Sequence, residues 1–483
     1  MKELMKWQWE AVQKGTGKDS FALFCEPGTG KTLAALRLWR ESGPSTAVII
    51  APLVTVFNWS REIIDDCPRT RWAVPLGNLK KRQESCSFFL QRDEVVRFNV
   101  VVVSYSLIGA TDMLKFFAIL NTLGDFTLIV DEAHYIKSAS TKRHKIISQL
   151  AAWAKKRIFL TGTPLMTGLE NLFYIYRAMD GGKTFGSNVY GFRGRYMFDA
   201  NAALRLTFPG RYYPNYLPKA TAYGEIQEAI EPSCYQVTLP EVVDLPPLQE
   251  ILIYTEMLPA QQKIYRQMER RFLTEFKGNT ASAVIALTKM VKLMQIVSGF
   301  FFSDEGTEVD IMGCANPRMK ALGHLVDKIN RVRASCVIWY QFDWERKTIR
   351  NLFNALGIDT GFIHGNQGKR ERFRVIDDFA ARKLRFVICQ RTAGGIGINL
   401  TAASYSIVFS RGFGMGADLQ GKARNYRKGS EVHKQIIRYI LFTKGTIDEL
   451  VDYTIKKQIT DNKTILTRFI NLKEKEHGSE TGI

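Results

Sequence analysis

Seven cysteines, Cys25, Cys67, Cys86, Cys234, Cys314, Cys336 and Cys389, are scattered over 483 residues without a C-x-x-C pair. An odd, scattered set argues against a zinc site or a disulfide framework and fits a reducing compartment. The six histidines show no metal-ligand spacing. The start, MKELMKWQWE, is charged and has no apolar core of a secretory signal. No apolar run approaches the roughly 20 residues that span a bilayer. Internal repeats and low-complexity tracts are also missing. The expectation is a soluble, intracellular protein, with no membrane and no zinc among its partners.

What is abundant is positive charge. Lys and Arg number 67 against 47 Asp and Glu, a formal charge of +20 and a pI near 9.6. Gathered on one face, such an excess attracts polyanions and binds phosphate backbones; spread evenly, it only solubilises. Hydrophobic content of 46% and charged content of 24% are those of a globular chain, and the length suits two or three domains.

Short apolar runs alternate with amphipathic helical stretches in two regions. FALFC (21–25), AVIIA (47–51), VVVVS (100–104), FTLIVD (126–131) and RIFLTG (157–162) read as buried parallel strands of the first. CVIWY (336–340), GFIHG (361–365), FVICQ (386–390) and YSIVFS (405–410) read likewise in the second. Nearly continuous branched runs are what a parallel sheet covered on both faces requires. The predicted fold class is α/β, with two tandem parallel-sheet lobes. Lobe 1 is placed at 1–180 and lobe 2 at 301–455. Between them lie an insertion at 181–240, rich in Tyr, Phe, Gly, Pro and Arg, and a helical approach at 241–300. That approach holds helices near 259–276 and 282–297, and residues 456–483 form a helix and a polar tail.

Three motifs carry chemistry. EPGTGKT (Glu26 to Thr32) follows a strand and precedes a helical stretch. There Gly28, Thr29 and Gly30 let backbone N–H groups turn inward around phosphates at a helix N-terminus. Lys31 would reach the β- and γ-phosphates, and Thr32 would place its hydroxyl on Mg²⁺. The full phosphate-loop pattern fails only at its first glycine, which is Cys25, and the bland alternative is a structural turn. DEAH (Asp131 to His134) closes the FTLIV strand, where a carboxylate faces the ligand crevice of an α/β sheet. Asp131 would hold Mg²⁺ and Glu132 would orient or deprotonate the attacking water; the alternative is an acidic helix cap. QGKARNYRKG (420–429) puts Arg424 and Arg427 three apart, on one face of a helix. These arginines could stabilise charge on a γ-phosphate, or the segment could be a solvated basic helix.

Together these residues resemble the superfamily-two helicases and, within them, the Swi/Snf-type ATPases, over about residues 4 to 455. LMKWQ (4–8) resembles the adenine-reading glutamine motif. EPGTGKT and DEAH resemble motifs I and II, and IIAPLVTVFNWSRE (49–62), with Asn58, Trp59 and Glu62, is similar to motif Ia. VVSYSLI (102–108), LTGTP (160–164) and IWYQF (338–342) resemble motifs Ib, III and IV. TAGGIGINLTAA (392–403) resembles motif V, and the spacing of Gln420, Arg424 and Arg427 resembles motif VI. The resemblance implies a DNA-dependent ATPase of the motor type using ATP and Mg²⁺. Lys31, Asp131, Glu132, Arg424 and Arg427 would be catalytic, with Thr32 and Asp131 on the metal. Gln8, Gly28, Thr29, Gly30, Lys31, Thr32, Gly395, Gly397 and Gln420 would hold nucleotide pinched between the lobes. Pro52, Ser104, Thr163, Gln341, Thr392 and Asn399 would contact nucleic acid.

The chain departs from the family at Ser410 (usually Asp), Phe413 (usually Trp) and Ser430 (usually Gln), and SCYQV (233–237) stands where a basic run is usual. These departures and the lack of anything like a histone-reading domain point away from chromatin remodelling. The expected activity is a monomeric motor on duplex or branched DNA that remodels forks or anneals strands. A strand-separating helicase and a non-hydrolysing nucleic-acid-binding module are the alternatives. Within the insertion, Arg193, Arg195, Tyr196, Arg205, Arg211, Tyr212 and Tyr213 could grip DNA, or they could form a small satellite core with a solvated rim.

Overall fold

Runs of β-branched and aromatic residues become strands because a covered sheet buries both of their faces. The computed structural model describes residues 2–53, 55–75, 79–85, 95–109, 115–118, 124–136, 138–162, 168–202, 214–277, 283–303, 305–312, 315–391, 398–413 and 415–457. Thr163, Thr392, Gly395, Gly397, Arg205, Arg211, Tyr212, Tyr213 and the tail from 458 lie outside the described residues. The chain divides into two units, 1–243 and 244–483.

In the first unit seven strands form one parallel sheet. They are β1 (Ser20–Cys25), β2 (Thr46–Ala51), β3 (Thr70–Ala73), β4 (Phe98–Ser104), β5 (Phe126–Val130), β6 (Lys156–Leu160) and β9 (Cys234–Val237), ordered β3-β4-β2-β5-β6-β1-β9. Alternate residues serve opposite cores: Phe21, Leu23, Val100 and Val102 in one, Ala22, Phe24, Val101 and Val103 in the other. The register sets Ala51 beside Ser104, Ile50 beside Val130 and Leu23 beside Leu160. The segments that begin at Glu26, Pro52, Tyr105, Asp131 and Thr161 therefore all leave the same edge, the carboxyl ends of the strands, where open α/β sheets bind ligands.

The second unit holds β10 (Leu248–Thr255), β13 (Cys336–Tyr340), β14 (Thr360–Ile363), β15 (Phe386–Gln390), β16 (Tyr405–Val408) and β17 (Ile436–Thr443) in a parallel sheet ordered β10-β17-β16-β13-β15-β14. Tyr340 pairs with Gln390 and Trp339 with Val408, so Gln341, Arg391 and Phe409 leave one edge together. The helices Pro259–Lys277 and Ala283–Ser298 bury Tyr265, Phe272, Met290, Leu293 and Ile296 against Ile447 and Leu450 of the helix Ile447–Lys456. A short antiparallel pair, β11 (Phe300–Phe302) and β12 (Glu308–Asp310), follows them.

Two segments differ from the sequence reading. Cys234–Val237, read within the insertion, pairs with β1 as an edge strand of the first sheet. Leu248–Thr255, read as part of a helical approach, pairs with β17 at the edge of the second. Both are half-exposed and mix polar with apolar residues, because an edge strand meets solvent on one flank. The rest of the insertion forms the helices Val189–Tyr196 and Ala222–Ile230 and the hairpin β7 (Met197–Asp199) with β8 (Tyr216–Pro218). Here Tyr196 is buried, Arg193 pairs with Glu170 at 2.7 and 3.0 Å, and Arg195 pairs with Glu225. Among its described residues Phe192, Tyr196 and Met197 are buried together, while Tyr190, Arg195 and Tyr223 remain exposed.

Candidate active site

The glycine loop joins β1 to the helix Lys31–Ser42. Gly28 and Gly30 adopt φ of +97° and +95°, the left-handed region that a side chain disfavours. At Gly30 a Cβ would also come within 2.8 Å of the Gln8 amide nitrogen. Thr29 is buried and its hydroxyl donates to the Glu26 carbonyl at 2.8 Å, tightening the turn. Gln8 is buried as well: its Nε2 donates to the Gly30 carbonyl at 3.0 Å and its Oε1 accepts from the Met5 N–H at 2.9 Å. Its amide therefore clamps the loop directly. Lys31 and Thr32 open the helix, with Lys31 on the axis end that carries free N–H groups.

Across the strand edge, Lys31 Nζ lies 2.9 Å from Glu132 Oε1. Glu132 has φ +49°, a left-handed conformation costing a side chain about 1–3 kcal/mol, as strained residues at functional sites do. Asp131 is buried and its carboxylate is held at both oxygens. Oδ1 accepts from the Glu132 N–H at 2.9 Å; Oδ2 accepts from Trp59 Nε1 at 2.9 Å and from the Thr55 hydroxyl at 3.4 Å. His134 Nδ1 sits 3.2 Å from Glu132 Oε2 and 3.3 Å from the Thr161 hydroxyl.

Burial works against every charge here, and the neighbours decide which survive. For Lys31, burial is outweighed by the carboxylates of Glu132 and Asp131, and its pKa is raised. For Glu132, burial is outweighed by Lys31 and His134, which hold its carboxyl well below the usual range. For Asp131, burial and the Glu132 charge prevail over Lys31 and Trp59, and its pKa is raised. Thr32 and Asp131 offer a hydroxyl and a carboxylate, oxygen donors of the kind Mg²⁺ takes beside substrate phosphates. Among the described residues no group of three or more His, Cys, Asp or Glu is gathered for a metal.

In the second unit Gln420 and Arg424 lie on the helix Met415–Asn425. Arg427 does not: the helix ends two residues earlier, so the shared helical face expected for the two arginines is not formed. The buried Asn425 side chain reaches back to the Ala403 carbonyl, and the chain turns at Gly429, whose φ is +102°. The same helix is anchored by Asp418, within 4 Å of Arg391, Arg411 and Arg438. Burial lowers the Arg391 pKa to about 10, against the pull of Asp418. At motif IV, the Gln341 N–H donates to Glu345 Oε2 at 2.8 Å and to Ser410 Oγ at 3.0 Å. Ser410 in turn donates to Glu345 at 2.7 Å, so Glu345 supplies a carboxylate next to the position where the family pattern has Asp.

Of the expected nucleic-acid contacts, Pro52 caps a turn, its carbonyl accepting from Thr55 and Val56 N–H groups at 2.8 and 3.2 Å. Asn399 is exposed and accepts from Thr401 N–H at 3.1 Å. Ser104 is buried, its hydroxyl 2.8 Å from Ser106 Oγ. The sequence reading assigned no role to Tyr105, and none to Trp59 beyond the resemblance, although both bond to Asp131. The available signal was a polar-tipped aromatic just past a buried strand, since such tips seek a partner.

A lysine at a helix N-terminus faces an acidic pair along the edge of a parallel sheet, the arrangement expected of a phosphate loop and its partner carboxylates. The chain belongs to the SNF2-related family: the SNF2-related domain matches residues 2–298, and the helicase conserved C-terminal domain matches 318–429. A candidate ATP-dependent helicase/translocase of Bacillus subtilis, YwqA, is 26% identical over 480 residues, covering 96% of this chain and 48% of that one. The CHD3-type chromatin-remodeling factor PICKLE of Arabidopsis thaliana is 25% identical over 481 residues, covering 91% and 32%. The chain thus spans half or less of the length of these relatives. The Sulfolobus solfataricus SWI2/SNF2 ATPase core in complex with dsDNA aligns at 22% identity and a TM-score of 0.42, covering 93% and 90%. No helix among the described residues is long and apolar enough to cross a membrane.

Proposed function

We propose that the chain hydrolyses ATP on the Glu26–Thr32 loop and uses the energy to travel along duplex DNA, remodelling branches or forks or annealing strands. The Lys31–Glu132 pair beside Asp131 is the observation that carries this reading. In it, the loop N–H groups and Lys31 hold the β- and γ-phosphates. Thr32 and Asp131 would hold Mg²⁺, which would neutralise charge on the phosphate oxygens. As Lys31 turns to the phosphates, Glu132 loses its counter-charge and becomes a stronger acceptor for a water proton. Water attacks the γ-phosphorus, the bond to the bridging oxygen breaks, and ADP leaves with that oxygen. Arg424 and Arg427, with Gln420, Gly395 and Gly397, are assigned to the nucleotide by the resemblance of their segments to motifs V and VI alone. Pro52, Thr163, Gln341, Thr392 and Asn399 are assigned to phosphate contacts that position without reading sequence.

SNF2-related membership supports a duplex track, and the formal charge of +20 suits a nucleic-acid partner of either kind. The test is the ATPase rate with duplex, single-stranded, forked, four-way and RNA ligands at fixed salt. Duplex and branched DNA are expected to stimulate most, and equal stimulation by RNA would replace this reading with a strand-separating helicase. Lys31→Ala is expected to abolish turnover while salt-sensitive duplex binding persists. Wild-type turnover in that variant would remove the loop assignment.

A further inference from the structure

Three strand-end segments leave the first sheet beside the acidic pair: two touch it directly, and the third reaches it by way of His134. After β2, the Pro52 carbonyl ties down Thr55 and Val56, and Trp59 follows one turn on, its N–H bonded to the Thr55 carbonyl at 3.0 Å. Trp59 is 1% exposed, and its indole N–H ends on Asp131 Oδ2 at 2.9 Å, with the Thr55 hydroxyl on the same oxygen. After β4, Tyr105 is buried against Tyr135 and its hydroxyl donates to the Asp131 carbonyl at 2.9 Å. After β6, Thr161 meets His134, which meets Glu132. A buried indole N–H or phenol hydroxyl needs a partner. Here both find it on one residue, 72 and 26 positions away in the chain.

We propose that Trp59 and Tyr105 are positioning residues that couple nucleic-acid binding at the loops after β2 and β4 to the orientation of Asp131. Both act through Asp131. A shift of the Pro52–Thr55 turn moves the first turn of the helix Val56–Asp66, and Trp59 carries that movement to a carboxylate oxygen. A shift at Ser104 reaches the backbone of Asp131 through Tyr105. Two rigid, buried linkers on one residue give the site two preferred arrangements rather than a continuum, because packed interiors resist gradual deformation. This inference rests on the proposed function, since it needs a nucleic acid at those loops.

The test is thermodynamic. Binding of a non-hydrolysable ATP analogue with Mg²⁺ is measured with and without duplex DNA, for the full chain and for Trp59→Phe and Tyr105→Phe. The ratio of the two affinities is the coupling, which is expected on the order of tenfold in the unsubstituted chain. Each variant is expected to lower it by several-fold, and the two together to bring it close to one, while leaving duplex affinity alone unchanged. The reciprocal measurement, duplex affinity with and without the analogue, must change by the same factor. Tyr105→Phe removes only a hydroxyl, so it decides the matter if Trp59→Phe melts early. Coupling retained in Tyr105→Phe, or lost only in parallel with duplex affinity, overturns the proposal and leaves the motor reading standing. Absence of coupling in the unsubstituted chain overturns both.

Discussion

Asp418 is the anion around which the second unit's buried charge is arranged, and Asp418→Asn removes its charge with little change of shape. Arg438 Nη2 lies 3.0 Å from Oδ2, while Arg391 Nη2 and Arg411 Nε lie 3.4 and 3.9 Å from Oδ1. The side chains of Arg391, Arg438 and Asp418 are 3%, 5% and 8% exposed, so solvent screens them little. Burial pushes the Asp418 pKa up, but the three guanidiniums outweigh it and bring the value from 3.8 to about 2. That fall corresponds to about 2.5 kcal/mol of stabilisation at neutral pH. Breaking a buried pair outright costs about 3–5 kcal/mol. Asparagine keeps an acceptor, so Asp418→Asn is expected to cost about 2–3 kcal/mol and to lower the melting temperature of the second unit by roughly 5–10 °C. Because the folded pKa is depressed, the contribution is complete above 3.8 and is lost as pH falls through about 2. Calorimetry with amide exchange of β13, β16 and β17 reads both effects. A variant that melts with the parent, or keeps the parent's acid sensitivity across that window, refutes the reasoning.

Two more perturbations test the packing around the site. Burial and the nearby Arg177 lower the His144 pKa from 6.5 to about 4, so the folded chain holds the imidazole neutral. The unfolded chain binds the extra proton first, and stability should drop as pH falls from 6.5 toward 4; His144→Gln should flatten that slope in melting curves. Arg193→Ala deletes a bidentate pair with Glu170 and a guanidinium 4.5 Å from the Tyr216 ring. It is expected to cost about 1–2 kcal/mol of stability and to leave the salt slope of duplex binding unchanged; a shallower slope would make the satellite core a DNA grip.

What could be read from sequence follows from how each element is buried. AVIIA, VVVVS and FTLIV are enclosed on both faces, and nothing polar interrupts them, so their strand character is visible in one dimension. CYQV and LQEILIYT lie at edges and keep polar residues for solvent, which makes them look like loop or helix. Lys31 and Asp131 could be named because a phosphate loop and a strand-end carboxylate are local patterns. Trp59 and Tyr105 act through Asp131, a partner brought to them by the sheet register, which local spacing does not contain. Arg427 shows the opposite failure: three-residue spacing implied a helical face, but the helix stops at Asn425 because that side chain is drawn into the core at Ala403.

The same distinction decides how the excess of positive charge should be read. Arg391, Arg411 and Arg438 count toward +20, yet their side chains are at most 10% exposed and cannot meet a phosphate backbone. They are matched by Asp418, by Asp452 at 2.8 Å from Arg411 and by Glu250 at 2.9 Å from Arg438. The same carboxylates also meet two lysines, Lys422 at 3.6 Å from Glu250 and Lys456 at 2.7 Å from Asp452, so the cluster's positive excess sits on its more exposed lysines and not on the buried arginines. The buried arginines hold the helix bearing Gln420 and Arg424 in place, and the remaining basic residues provide the field. Asp418→Asn should therefore alter stability and turnover without steepening or flattening the salt dependence of duplex binding, because that slope counts only the phosphates neutralised.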